Sequence, residues 1–216
     1  MASSINASTT AGVVTTADTS GVLNIQTAGT TAISIDASQA VTMAGRTSNP
    51  TTISVGGATP STSGAGITFP ATQSASSNAK TLDDYEEGSH TTTANANTTL
   101  DNSYRAFKYT KVGNVVSVVG LLQITGSTGS TTLTFTLPFT AAADQTNGQN
   151  RSVGGCLPAS ATTGTVMVPF VQNNTAVMNL YKITLGAATN STYAAATNAD
   201  VINGSSINFN ITYLTA

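Results

Sequence analysis

The sequence predicts an all-β protein, with a stem of short β-strands intertwined between chains followed by a jelly-roll-like β-sandwich. Apolar and polar residues alternate with a period of two in residues 133–137 and 207–213. Such alternation places one face of each strand in a core and the other in water. Apart from a turn near Asp83, no segment has a helical pattern. Regularly spaced short strands without helices favour a sandwich or jelly roll.

The composition excludes several classes of function. Only 7% of the residues are charged, the formal net charge is −2 and Trp is absent, whereas soluble domains usually contain about 25% charged residues. We therefore expect no nucleic-acid partner, no metal or other cofactor and no enzymatic activity. No apolar run approaches the roughly 20 residues of a membrane span. The first residues lack the features of a secretory signal, and the single Cys156 fits synthesis in a reducing cytoplasm.

The amino-terminal part contains short apolar patches in a polar background. These patches are residues 13–14, 22–25, 33–35 and 41–43. Related phrases beginning at Asp18 and Asp36, 18 residues apart, indicate a repeated pair of strands. One such pair is only marginally stable alone. We therefore expect several chains, wound around a common axis, to bury these patches together.

Three regions follow from these patterns. Residues 1–45 are predicted to form the attachment and stem segment, residues 46–81 a Ser/Thr/Gly-rich extended connector, and residues 82–216 a β-sandwich head. The connector contains β-like patches at residues 53–55 and 67–69. Its composition is that of a linker, but we expect it to pack against a partner chain.

Turn residues and apolar density give the head further detail. Residues 115–124 are dense in apolar side chains and are predicted to form a central strand buried on both faces. Gly113-Asn114 and Asn203-Gly204 are both predicted to form tight hairpin turns.

Three phrases between residues 82 and 140 resemble the carboxy-terminal domain of bacteriophage tail fibres and related virion structural proteins. They are LDDYEEG at residues 82–88, YTKVGNVVSV at residues 109–118 and LPFT at residues 137–140. Where such fibres usually continue into a Trp, this chain continues with Ser89-His90-Thr91. The resemblance covers about residues 82–140.

The resemblance implies a homotrimeric short tail fibre or spike in the virion, made in the host bacterial cytoplasm. Its amino end would attach to another virion protein, such as a tail adaptor, a tail nozzle or the capsid. Its carboxy-terminal domain would face the host surface. Two alternatives remain open: a capsid decoration or head-fibre protein, and a polysaccharide depolymerase.

Few residues are candidates for chemistry. The cluster Asp83, Asp84, Glu86 and Glu87 contains four of the nine acids and is expected to be a solvated turn or to form hydrogen bonds between subunits, with ion binding at a trimer axis left open. His90 is expected to form a hydrogen bond in a loop, with a three-copy metal site as the alternative.

Cys156 is expected to be buried and inert. The phrase Ser77-Asn78-Ala79-Lys80 matches the Ser-x-x-Lys of acyl-transfer enzymes by chance.

Two polar loops are candidates for surface binding. Their candidate residues are Asn147, Gln149, Asn150, Arg151, Asn190 and Tyr193. Amides, hydroxyls and an aromatic ring are suited to recognising a neutral sugar, and a host-surface glycan is the candidate ligand of these loops. Ordinary loop composition without binding is the alternative.

Overall fold

The structure is a computed structural model of the 216-residue chain. It describes residues 3–8, 12–16, 19–45, 52–72, 76, 81–143, 152–161, 165–184 and 192–215. Within these residues it contains eighteen β-strands and one 3-10 helix, Asn198–Asp200. The all-β prediction is confirmed.

The chain divides into two compact units. The amino-terminal unit comprises Met1–Ser54 and Pro60–Thr68, and the carboxy-terminal unit comprises Val55–Thr59 and Phe69–Ala216. The boundaries predicted from sequence at residues 45 and 81 remain predictions.

Seven strands lie in the amino-terminal unit. They are β1 (Ser3–Ser8), β2 (Gly12–Thr16), β3 (Leu23–Thr27), β4 (Thr30–Ile35), β5 (Val41–Met43), β6 (Thr52–Ser54) and β7 (Gly66–Thr68). The first five form one sheet in the order β2-β1-β3-β4-β5, in which only the β1–β3 pairing is parallel. Strands β6 and β7 pair in parallel as a separate two-stranded sheet. Three of the four predicted patches lie wholly in strands, and the fourth, residues 22–25, lies in β3 except for Val22, which precedes the strand. Ile53-Ser54 and Ile67-Thr68 of the connector patches also lie in strands.

Strand β1 was not expected, because Ile5 is the only large apolar side chain within it. The turn between β4 and β5 is organised by Asp36, whose Oδ1 accepts hydrogen bonds from the backbone N of Ser38 at 2.8 Å and of Ala40 at 3.0 Å. An Asx side chain mimics a backbone turn in this way. Asp18, the other acid of the predicted repeat, lies outside the described residues.

The carboxy-terminal unit contains the other eleven strands. They are β8 (Tyr85–Thr91), β9 (Thr98–Leu100), β10 (Ala106–Val112), β11 (Val115–Ser127), β12 (Thr134–Thr136), β13 (Ser152–Val153), β14 (Gly155–Ala161), β15 (Thr165–Val171), β16 (Val177–Thr184), β17 (Thr192–Ala195) and β18 (Val201–Leu214). One sheet has the order β14-β18-β11-β10-β8, with β9 pairing β11. The other has the order β12-β16-β15-β13, with β17 pairing β16.

Buried side chains from both sheets form one core, which makes the unit sandwich-like. Phe107, Val118 and Ile211 come from the first sheet, and Phe135 and Met178 come from the second. The rings of Phe107 and Phe209 pack edge to face with their centroids 4.7 Å apart, a favourable geometry for an aromatic pair. The alternation predicted for residues 133–137 and 207–213 is confirmed, because the apolar members are buried and the intervening residues are not.

Two predictions about the head strands are wrong. Strand β11 is central, but it is buried on one face only, and Val119 on its outer face is 50% exposed. The second sheet of the unit covers the inner face alone, so the outer apolar residues of β11 remain in contact with water.

The second error is the hairpin at Asn203-Gly204, because β18 runs through these residues without reversing. Ala159 and Ala161 of β14 pair with Ser206 and Val201. An interval of two residues on β14 therefore lies opposite an interval of five residues on β18, which marks an irregularity in the pairing. Gly204 has a φ of +92° and lies in this irregular stretch, as glycines in bulges often do. The Gly113-Asn114 turn is confirmed: it joins β10 to β11, and Gly113 has a φ of +56°.

Candidate functional site

The main sheet of the amino-terminal unit has one strongly apolar face. Residues directly opposite each other on paired strands share a face, and the pairing aligns two apolar rows. The first row is Ile5, Ile25, Ile33 and Met43, and the second is Leu23, Ile35 and Val41. We call these seven residues the apolar face. The opposite face is polar, with Asn24, Ser34 and Thr42 aligned across it.

Among the described residues, no second layer of protein buries the apolar face. Met43 and Val41 are 53% and 55% exposed, and none of the described side chains between residues 19 and 72 is buried. A sheet is normally stable only when its apolar face packs against another element. The apolar face is therefore a candidate surface for assembly.

The acidic phrase does not form the turn that was one of its two predicted roles, although Glu86 and Glu87 are exposed to solvent. Glu86 and Glu87 lie in the edge strand β8, and Asp84 directly precedes it. Asp84 is buried and forms an ion pair with Lys111, which is also buried. The ring of Phe139 lies 5.7 Å from the Lys111 ammonium nitrogen. The cluster therefore includes an ion pair at the end of the sheet.

The other acids have separate partners. Tyr109 donates its phenolic hydrogen to Glu86, Tyr85 donates to Glu87, and the backbone N of Ser76 donates to Asp83 at 2.7 Å. The hydrogen bond to Glu86, together with partial burial, raises the pKa of Tyr109 to about 12. Each acid is therefore engaged within the chain.

We expect Lys111→Met to destabilise the carboxy-terminal unit by roughly 3 kcal/mol or more, because it leaves the Asp84 carboxylate buried without a counterion. Urea denaturation followed by circular dichroism measures this loss. Adding Asp84→Asn to Lys111→Met removes the buried charge and is expected to restore much of the stability. Equal destabilisation in the single and double variants would contradict this account.

His90 lies in strand β8 and not in the predicted loop. Its Nε2 is 3.2 Å from Thr136 Oγ1, and its ring is tilted against that of Phe107 with centroids 6.4 Å apart. Desolvation lowers the pKa of His90 below its ordinary value of 6.5, although the contact with Thr136 opposes this effect. The residue joins the two sheets of the unit through Thr136.

A lowered pKa means that the unfolded chain binds the His90 proton more tightly than the folded chain. We therefore expect the stability contributed by neutral His90 to be present above pH 6.5 and to be lost as the pH falls through the folded pKa. Melting temperatures measured between pH 7.5 and pH 5 test this. The loss should be smaller in His90→Gln, and identical pH dependence in both proteins would contradict it.

Cys156 is half-buried in β14, and its Sγ donates a hydrogen bond to the Met167 carbonyl at 3.3 Å. Burial raises the pKa of this thiol to about 11. A thiol that stays protonated at neutral pH is a poor nucleophile, which agrees with an inert residue. The Ser77–Lys80 phrase lies outside the described residues.

Of the predicted surface-binding residues, only Tyr193 is described. Asn147, Gln149, Asn150, Arg151 and Asn190 lie outside the described residues. Tyr193 lies in β17, not in a loop, and is 78% exposed.

The structure brings Tyr193 together with aromatic residues that the sequence analysis did not single out. The Tyr181 ring centroid lies 6.2 Å from that of Tyr193 and 5.0 Å from that of Phe170. These rings line a groove of about 440 Å³ on the outer face of the second sheet, together with Val153, Val168, Gln172 and Ile183. We call it the aromatic groove. The sequence of β15 could have indicated this groove, because the strand is apolar at both alternating sets of positions. Only one set can face the core of a two-layered sandwich, so the other set forms an apolar outer surface.

Among the described residues there is no group of three or more His, Cys, Asp or Glu side chains that could hold a metal ion. The described part of the chain also contains no helix with the length and apolar character needed to cross a membrane. No protein-family model, curated protein or solved structure matches the chain.

Proposed function

We propose that this chain is a non-enzymatic structural protein of a bacteriophage virion, a homotrimeric short tail fibre or spike. Its amino-terminal unit forms an intertwined trimeric stem and attaches to another virion protein, such as a tail adaptor, a tail nozzle or the capsid. Its carboxy-terminal unit is a jelly-roll-like head that faces the host surface.

The observation that supports this proposal most is the uncovered apolar face. Six aliphatic side chains and one Met side chain lie on one side of a single sheet, and the described residues of that unit bury none of them. Whatever buries the apolar face must be available wherever the chain folds. Other copies of the same chain are always available there. Three sheets facing a common axis would bury their apolar faces together.

The low content of charged residues in the chain supports a packed assembly. Weakly charged surfaces tend to associate, and the apolar face contains no ionisable residue. Association through such a face requires no buried charge to be compensated.

The acidic residues support a structural role over a depolymerase. A glycosidase needs two carboxyl groups across a groove, with one of them protonated. Asp84 is paired with Lys111, and Glu86 and Glu87 each accept a tyrosine hydrogen bond. Incubation of the protein with host capsule and measurement of released sugar tests this alternative, since sustained release would favour the depolymerase.

Labelling of intact phage particles tests the proposed location. Antibodies against the carboxy-terminal unit, visualised by electron microscopy with gold, should mark the tail. Marking of the capsid shell would instead favour the decoration or head-fibre alternative. Absence from purified particles would overturn the virion role.

A further inference from the structure

We propose that the aromatic groove binds a neutral pyranose sugar. The inference rests on the proposed host-facing function for its biological meaning, while the groove itself lies within a single chain. Its volume of about 440 Å³ falls within the range of about 300–1,000 Å³ typical of small-molecule sites.

The geometry of the rings supports a ligand with an apolar face and polar edges. Phe170 and Tyr181 pack at an interplanar angle of 63°, so that they form a fixed corner, while Tyr193 extends from the neighbouring strand and is 78% exposed. The C–H face of a pyranose ring stacks on such an aromatic surface. The tyrosine hydroxyls and the Gln172 amide offer donors and acceptors for the hydroxyls of the sugar.

The described lining of the groove contains no charged side chain, which favours a neutral ligand. None of the described residues that line it is Asp, Glu, Lys, Arg or His. Lys182, next to Tyr181 in β16, forms an ion pair with Asp200 at 2.7 Å and alternates to the other face of the strand. An acidic sugar would find no described cationic partner in the groove, whereas the hydroxyls of a neutral sugar could replace water with the tyrosine hydroxyls and the Gln172 amide.

Tyr193 has the largest expected effect because it is the exposed wall of the groove. Truncating an aromatic anchor at a binding site usually costs more than 1 kcal/mol, which corresponds to about a fivefold loss of affinity or more. Tyr193→Phe keeps the stacking surface and removes one hydroxyl, so it should retain most of the binding. Tyr104, 45% exposed between β9 and β10, provides a matched control for loss of a surface tyrosine.

Saturation-transfer NMR on the purified full chain tests the inference. The probes are the methyl glycosides of glucose, galactose and mannose, with glucuronate as the acidic comparator and cyclohexanol as the apolar one. We expect transfer to at least one neutral glycoside, a loss of about fivefold or more in Tyr193→Ala, and no change in Tyr104→Ala. Melting curves confirm that both variants fold.

Several outcomes would overturn the inference. Absence of transfer to all three glycosides, equal transfer in wild type and Tyr193→Ala, or stronger transfer to glucuronate or cyclohexanol would each do so. These results are independent of particle labelling. A protein that binds sugar but is absent from virions would support the inference about the groove and overturn the proposed function. A protein that is present in virions but binds no sugar would overturn the inference and leave the proposed function standing.

Discussion

Replacing Ile33 by aspartate is expected to convert the proposed trimer into separate chains. Ile33 lies in the middle of the apolar face, between Ile25 on one neighbouring strand and Met43 on the other. In a symmetric assembly every copy would bring one new carboxylate to the same interface, and burying an unpaired carboxylate costs several kcal/mol. Because obligate oligomers often have no stable folded monomer, we also expect the amino-terminal unit to lose its structure.

Sedimentation equilibrium at micromolar concentration measures the change. Wild type should have the mass of three chains of 21.7 kDa, and Ile33→Asp should approach the mass of one. Ser34→Asp is the matched control, because Ser34 is the next residue and lies on the polar face opposite Asn24 and Thr42. A monomeric, fully folded wild type would contradict the proposed assembly, and so would two variants with equal mass.

Phe135→Asp is expected to unfold the carboxy-terminal unit. Phe135 is 1% exposed, pairs with Met178 and belongs to the core shared by the two sheets. Loss of the ring alone removes about 3–5 kcal/mol, and the aspartate adds an unpaired charge in an apolar interior. This total rivals the roughly 5–15 kcal/mol that stabilises an ordinary domain. Thermal melting followed by circular dichroism should show no cooperative transition from this unit.

Thr134→Asp gives the comparison for Phe135→Asp. Thr134 precedes Phe135 and lies on the opposite face of β12, where it is half-buried beside Asn179. We expect a much smaller fall in melting temperature, since a carboxylate there can remain in contact with water. Phe135→Leu should be intermediate, because it leaves a partial cavity without introducing a charge. Similar losses in Thr134→Asp and Phe135→Asp would mean that the two faces of β12 are wrongly assigned.

Local patterns in the sequence were sufficient to predict several of the strands, although not β1, β8 or β17. The alternation in residues 207–213 assigned each side chain to the correct face, because successive residues of a strand point in opposite directions whatever lies around them. Gly113 was also predictable, since the tight turn requires a backbone conformation that glycine adopts without strain. The apolar patches of β3, β4 and β5 likewise indicated a sheet that needs a cover.

Contacts between distant residues were decided only by the tertiary structure. Asp84 and Lys111 are 27 residues apart and form an ion pair because β8 and β10 are neighbours, which no local pattern reveals. The same holds for the aromatic groove, whose rings come from β15, β16 and β17. It also holds for β18, where pairing with β14 on both sides of Gly204 overrides a local turn signal. Alternation specifies the two faces of a strand, whereas strand order depends on the packing of the whole core, and a site built across several strands depends on that order.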